Sequence, residues 1–168
     1  AQLLCRLPLG IFSDRVGRRK PFILMGFIAC IIGGVGLGFA RQPAMMLLFR
    51  GVTGIGASTW VVFTVLFCSY FPKEQTGYAI GIINSILFLS DMVSTFIGGL
   101  LVQFYGWSTP FFAGAFLAVL GLIIGTRLHE KPQVETPPSF GEIITVGRNP
   151  HLLSVSILGA LSQYVIYV

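Results

Sequence analysis

An all-α, polytopic transmembrane helix bundle is the fold class this sequence predicts, and three observations carry the prediction. The 168 residues are 54% hydrophobic and only 10% charged, with a mean hydropathy of +0.84. Soluble domains carry roughly 25% charged residues, so this chain could not cover a water-facing surface. The apolar residues also come in runs as long as a bilayer is thick. Finally, the Lys and Arg residues collect in the short breaks between those runs, unevenly on alternate sides.

The elements follow in order. Residues 1–12 read as the end of a helix that began upstream. Residues 21–40, PFILMGFIACIIGGVGLGFA, are 20 residues without a charge. As a helix they span about 30 Å, the thickness of a hydrocarbon core. A second full span runs from about Pro43 to Phe71, with Arg50 inside it. The polar turn Pro72-Lys-Glu-Gln-Thr76 leads to a third, about Gly77–Gln103, with Asp91 inside. Phe104-Tyr-Gly-Trp107 is an uncharged aromatic turn suited to a membrane–water interface. A further span covers about Thr109–Leu128, and another apolar run begins near Leu152.

Three segments are therefore expected: a helix bundle over 1–128, a polar connector over 129–150, and the start of a second bundle over 151–168. The connector contains Pro132, Pro137, Pro138 and Pro150. Within it, Ser139-Phe-Gly-Glu142 has capping-box spacing, and Phe140, Ile143 and Ile144 follow at helical spacing. A short amphipathic helix on the membrane surface and an ordinary ordered loop both fit. The opening Ala1-Gln-Leu-Leu and the apolar ending read as the interior of a longer chain rather than a secretory leader.

Orientation comes from the cations. Arg15, Arg18, Arg19, Lys20, Lys73, Arg127, Lys131 and Arg148 fall in alternate breaks, and only Arg41 falls in the others. The positive-inside rule places loops 13–20, 72–76 and 129–150 in the cytoplasm, so the chain is read as a multi-pass plasma-membrane protein, or inner-membrane if bacterial.

The composition also argues against other classes. The net charge of +5 raises nucleic acid, but no basic face with aromatic readers exists. Cys5, Cys30 and Cys68 lie apart in apolar runs without metal or redox spacing. Gly33-Gly34-Val-Gly36-Leu-Gly38 lacks a preceding strand and is no dinucleotide loop. Neither a paired catalytic constellation nor a phosphate-binding loop is present. No cofactor, metal or enzymatic activity is expected.

The densest charge cluster is LGIFSDRVGRRK, residues 9–20. Its cations suit the negative end of an incoming helix dipole, and Gly17 can take the left-handed conformation that ends a helix. Gly10 lets another helix approach closely. Asp14 pairs in register with Arg18, four residues on, yet sits at the wrong end of the dipole for a carboxylate.

Gly10-x-x-x-Asp14-Arg15-x-Gly17-Arg18-Arg19 resembles the cytoplasmic loop motif between helices two and three of the major facilitator superfamily of secondary transporters. Arg50-Gly-Val-Thr-Gly54-Ile-Gly56-Ala57-Ser58 is similar to the Arg and small-residue pattern of that family's fourth helix. Gly98-Gly99 matches part of the fifth-helix antiporter motif, but Ser94-Thr95 stand where its Gly-Pro is expected. Gly106-Trp107 with Pro110-Phe-Phe112 looks like the turn into the sixth helix. The resemblance covers nearly the whole chain and implies a stretch from the end of helix two to the start of helix seven, with the rest of the two-half fold missing. It implies alternating access around a midplane site for a small solute, and a gate in which Asp14 meets a helix of the opposite half. The absent proline weakens any reading as a drug antiporter.

Two charges lie inside the spans. Arg50 sits about seven residues into its helix, roughly 10 Å below the outer surface. It either snorkels to the interface or faces a cavity, where the resemblance implies a role in substrate or proton binding. Asp91 is too deep and too short to snorkel, and a mid-bilayer charge costs about 2.5–3.5 kcal/mol on insertion scales. Asn84, Asp91 and Gly98 are seven apart, with Ser94 and Thr95 on the same side. That stripe is expected to face protein or a water cavity. It serves either as a proton or substrate pathway or as a structural partner of Arg50 or Arg6. Gly114, Ala118, Gly121 and Gly125 form a second small-residue stripe for helix packing, as Gly54, Gly56, Gly98 and Gly99 do elsewhere. A transport-inactive fragment and a channel-like helix scaffold remain the alternatives to a gradient-driven transporter.

Overall fold

The computed structural model describes residues 17–128 together with Gly10, Ser13 and Ser154. The chain divides into two compact units, Ala1–Val134 and Glu135–Val168. Of the second only Ser154, helical and exposed, is described. The connector and the final apolar run lie outside the described residues, as does the surface-helix expectation for Ser139–Glu142.

Every described regular element is helical. Helix α1 spans Lys20–Phe39, α2 Pro43–Ser58 and α3 Trp60–Cys68. A single 3₁₀ turn, Lys73–Gln75, precedes α4, Thr76–Tyr105, and α5 covers Thr109–Thr126. Among the described residues, four stretches are long and apolar enough to cross a membrane: Lys20–Phe39, Pro43–Cys68, Lys73–Tyr105 and Thr109–Thr126. The sequence's spans are found close to their expected bounds.

Proline and glycine set the ends. Pro21, Pro43 and Pro110 each sit in the first turn of a helix, where a missing N–H costs nothing. Gln42, before Pro43, is extended, as the proline ring requires of its predecessor. Gly106 ends α4 at φ +92°, ψ 171°, a region open essentially to glycine alone. Gly106→Ala is therefore expected to lower stability by about 1–3 kcal/mol. Thermal unfolding of the full-length protein in detergent checks this, and an unchanged midpoint would contradict it.

One span departs from expectation. Residues 43–71 are expected as a single span, and within it the helix is interrupted at Thr59. The cause is local. The Thr59 N–H donates to Gly56 O, three residues back, and the Thr59 hydroxyl donates to the same carbonyl at 2.7 Å. Ser58 Oγ likewise donates to Ile55 O. Such back-bonding hydroxyls compete with the regular ladder and bend helices.

Helix α1 is the centre of the unit. It packs antiparallel against the α2–α3 span on one face and against α5 on a neighbouring face. Ile23 meets Val62 and Leu66 in the buried core, with Phe22, Phe27 and Phe63 against them. Farther along, Gly26 faces Thr59, Gly33 faces Thr53 and Gly36 faces Phe49. On the other face, Leu24 and Phe27 meet Gly125 and Gly121, while Gly34 and Gly38 meet Ala115 and Phe112. Phe39 and Phe112 close this contact edge to edge, with ring centroids 5.1 Å apart. Lipid tails are as apolar as the helix surfaces, so close van der Waals contact, which small residues permit, holds such helices together.

Helix α4 is different. Only Ala79 and Ile83, near its start, are buried. It contacts α3 and α5, and most of the rest of its length is exposed.

Candidate functional site

Two regions carry the residues singled out by sequence. The first is the start of α1. Asp14 and Arg15 lie outside the described residues. Gly10 and Ser13 are helical, and Ser13 Oγ donates to Gly10 O at 2.9 Å. Gly17 has φ +63°, the left-handed conformation. Glycine adopts it without the Cβ penalty that other residues meet. Arg18 is exposed and Arg19 half-buried, at the N-cap of α1.

Sequence reasoning missed the main contact here. Lys20 Nζ donates to Thr126 O at 2.6 Å and to Leu128 O at 2.8 Å. The side chain thereby ties the start of α1 to the end of α5. No local signal reveals it, because 106 and 108 residues separate the partners.

The second region is the interior of the spans. Asp91 lies halfway along α4 and is exposed, as are Ser94 and Thr95, while Asn84 and Gly98 are half-buried. The carboxylate is flanked by apolar side chains that are equally open: Phe88 is 60% exposed, Met92 65% and Phe96 69%. Ser94 Oγ donates to the main-chain oxygen of Asp91 at 3.1 Å, so its hydroxyl is engaged within its own helix. Arg50 is exposed on α2, and its main-chain oxygen accepts from Thr53 Oγ1 at 2.9 Å. Among the described residues, Arg50 and Asp91 are not joined by an ion pair. Arg6, the other partner considered, lies outside them.

The glycine stripes divide. A Cβ at Gly56 would lie 2.5 Å from Cys30 Sγ, one at Gly121 2.5 Å from Phe27, and one at Gly125 3.1 Å from Leu24. These three are close-approach positions. A Cβ at Gly98, Gly99 or Gly114 would meet no atom within 4 Å. Gly54 is half-buried. The tightest approaches, at Gly26, Gly33 and Gly36, lie on α1, outside the stripes expected from sequence. Four glycines in six residues, Gly33 to Gly38, were the available signal: 33 and 36 fall on one face, 34 and 38 on the next. Among the described residues, no three His, Cys, Asp or Glu side chains come together as a metal site.

Comparison with known proteins meets this geometry. The family model of the Major Facilitator Superfamily matches residues 1–168. The chain is 27% identical over 124 residues to Multidrug resistance protein 3 of Bacillus subtilis, covering 73% of this chain and 24% of that protein. It is 30% identical over 148 residues to the multi-drug resistance efflux pump PmrA of Streptococcus pneumoniae, covering 86% and 37%. It is 30% identical over 155 residues to the synaptic vesicular amine transporter of Bos taurus, covering 90% and 30%. The chain thus spans 24–37% of the length of these curated relatives. With a family match along its whole length, four membrane-crossing helices and the packing just described, this chain belongs to the Major Facilitator Superfamily as part of a multi-pass membrane helix bundle.

Proposed function

We propose that the full protein carries a small solute across the plasma membrane by alternating access, driven by a proton or solute gradient. Residues 1–128 serve as part of the first-half bundle, 129–150 as the cytoplasmic connector, and 151–168 as the start of the second half. The observation that carries the reading is Asp91: a carboxylate midway along a 30-residue apolar helix, on a surface that nothing among the described residues covers. An ionisable group at that depth is expensive, and marks a proton relay, an ion path or a substrate contact. Its negative charge favours a proton or a cationic solute over an anion. The name of one relative, an amine transporter, agrees with that choice of charge. Arg50, exposed on α2, is the matching candidate for anionic groups or for tuning the carboxylate. The loop motif at 10–19 acts as the gate, with Asp14 meeting the opposite half.

The test is a flux panel on the full-length protein in proteoliposomes. Sugars, amino acids, organic acids, amines and lipophilic cations are offered with an imposed pH gradient. Concentrative movement of at least one solute, abolished by a protonophore, is expected. Flux that only runs downhill would make the protein a channel. The 168-residue chain alone is expected to move none, and flux by it would overturn the two-half mechanism.

A further inference from the structure

Lys20 occupies a position that its own helix disfavours. It is the first residue of α1, where the helix dipole is positive, and no acidic residue lies in that first turn to offset it. Helix α5 has the complementary deficit. Its last turn holds no basic residue, and Arg127, which follows as C-cap, is exposed. The carbonyls at a helix end have no partner further along and need donors from elsewhere. Because α1 and α5 run antiparallel, the start of one lies beside the end of the other. The Lys20 ammonium crosses between them and donates to Thr126 O and Leu128 O, at 2.6 and 2.8 Å. These are charge-assisted bonds, shorter and stronger than neutral ones. The same cation sits at the negative end of the α5 dipole.

The place of this contact gives it a consequence. Leu128 is the last residue before the 129–150 connector, and Lys20 directly follows the loop motif at 10–19. The end of α5 is otherwise held by Arg127 N–H to Ile124 O and Leu128 N–H to Gly125 O, at 3.0 and 3.2 Å. Those are short i to i−3 bonds of the kind that tighten a fraying terminus.

We propose that Lys20 is a positioning residue: by holding the Thr126 and Leu128 carbonyls to the start of α1, it fixes the end of α5, the point from which the chain continues into the connector. The proposal goes beyond the transport reading and is tested without measuring flux, so the two fail separately.

Hydrogen exchange is followed by mass spectrometry on the full-length protein in lipid nanodiscs, in peptides covering the end of α5 and the connector root. Lys20→Met is expected to speed exchange at residues 124–128 about tenfold, the scale of losing a charge-assisted hydrogen bond. Lys20→Arg, which keeps a charged donor, is expected to stay near the parent rate. Arg18→Met removes a charge from the same end without touching the contact, and is expected to leave these amides unchanged. If Lys20→Met does not fold, Lys20→Gln, with a neutral donor, is expected to give an acceleration of about threefold. Parent-rate exchange in Lys20→Met or Lys20→Gln overturns the proposal. So does an equal acceleration in Arg18→Met, which would trace the effect to net charge alone.

Discussion

Asp91→Asn in the intact protein is expected to cut gradient-driven solute accumulation at least about tenfold, the effect of 1.4 kcal/mol of lost interaction. An amide can neither carry a proton nor neutralise a cation, yet it matches the carboxylate in shape. Insertion is not expected to suffer. A carboxylate at the helix centre costs about 2.5–3.5 kcal/mol on insertion scales, and the amide is uncharged. Membrane yield should hold or rise while transport falls, which separates function from folding. Downhill counterflow then tells which role Asp91 plays. If it survives, the carboxylate carries the coupling proton; if it is lost as well, the carboxylate contacts the solute. Undiminished concentrative transport would remove Asp91 from the mechanism. Asn84, Ser94 and Thr95 would then read as ordinary polar positions on α4.

The second large effect is expected on stability, from the glycine-lined faces of α1. A Cβ at Gly36 would enter the ring of Phe49, and one at Gly33 would press on Thr53 and on the Phe49 carbonyl. Overpacking of a tight contact costs about 1–3 kcal/mol, and more where main chain must shift. Gly33→Val and Gly36→Val are therefore each expected to lower the thermal midpoint of the detergent-solubilised full-length protein, with loss of folded yield. The two differ in whether they can be rescued. Phe49→Ala opens room beside residue 36, so it should restore Gly36→Val. It should not restore Gly33→Val, because there the main-chain nitrogen of Thr53 lies 3.0 Å from the added Cβ and cannot be trimmed away. Equal rescue of both would mean that α1 slides, rather than being held in one register.

The spans were legible in the sequence for a simple reason. Length and apolar composition are properties of a segment by itself, and a bilayer imposes them on each segment separately. Orientation was expected from the same kind of local count. Contacts were not legible in this way. Gly98, Gly99 and Gly114 carry the same small-residue spacing as Gly121 and Gly125, yet among the described residues only the latter pair meets a neighbour. Spacing says which residues share a face, not which face is met. The break at Thr59 lay between both kinds. Ser58 and Thr59 announce back-bonding hydroxyls, but an apolar span of 26 residues hides the interruption. The Lys20 contact was beyond reach, because a cation in a loop looks like any other topology signal until the far helix end is in place. At the candidate site, sequence marked Asp91 by its depth alone, and the structure adds the open apolar surface around it.

The length of α4 gives membrane thickness a hold on that carboxylate. Its 30 residues extend about 45 Å, half as long again as the hydrocarbon core, whereas α1 and α5, with 20 and 18, match the core closely. A helix too long for its bilayer tilts, or pushes its ends into the headgroups. Its buried residues, Ala79 and Ile83, lie near one end, and most of α4 stands outside the glycine-packed core. Its midpoint, and Asp91 with it, would then shift sideways and in depth as lipid chains lengthen or shorten. The same protein would present its mid-helix charge differently in thin and thick membranes.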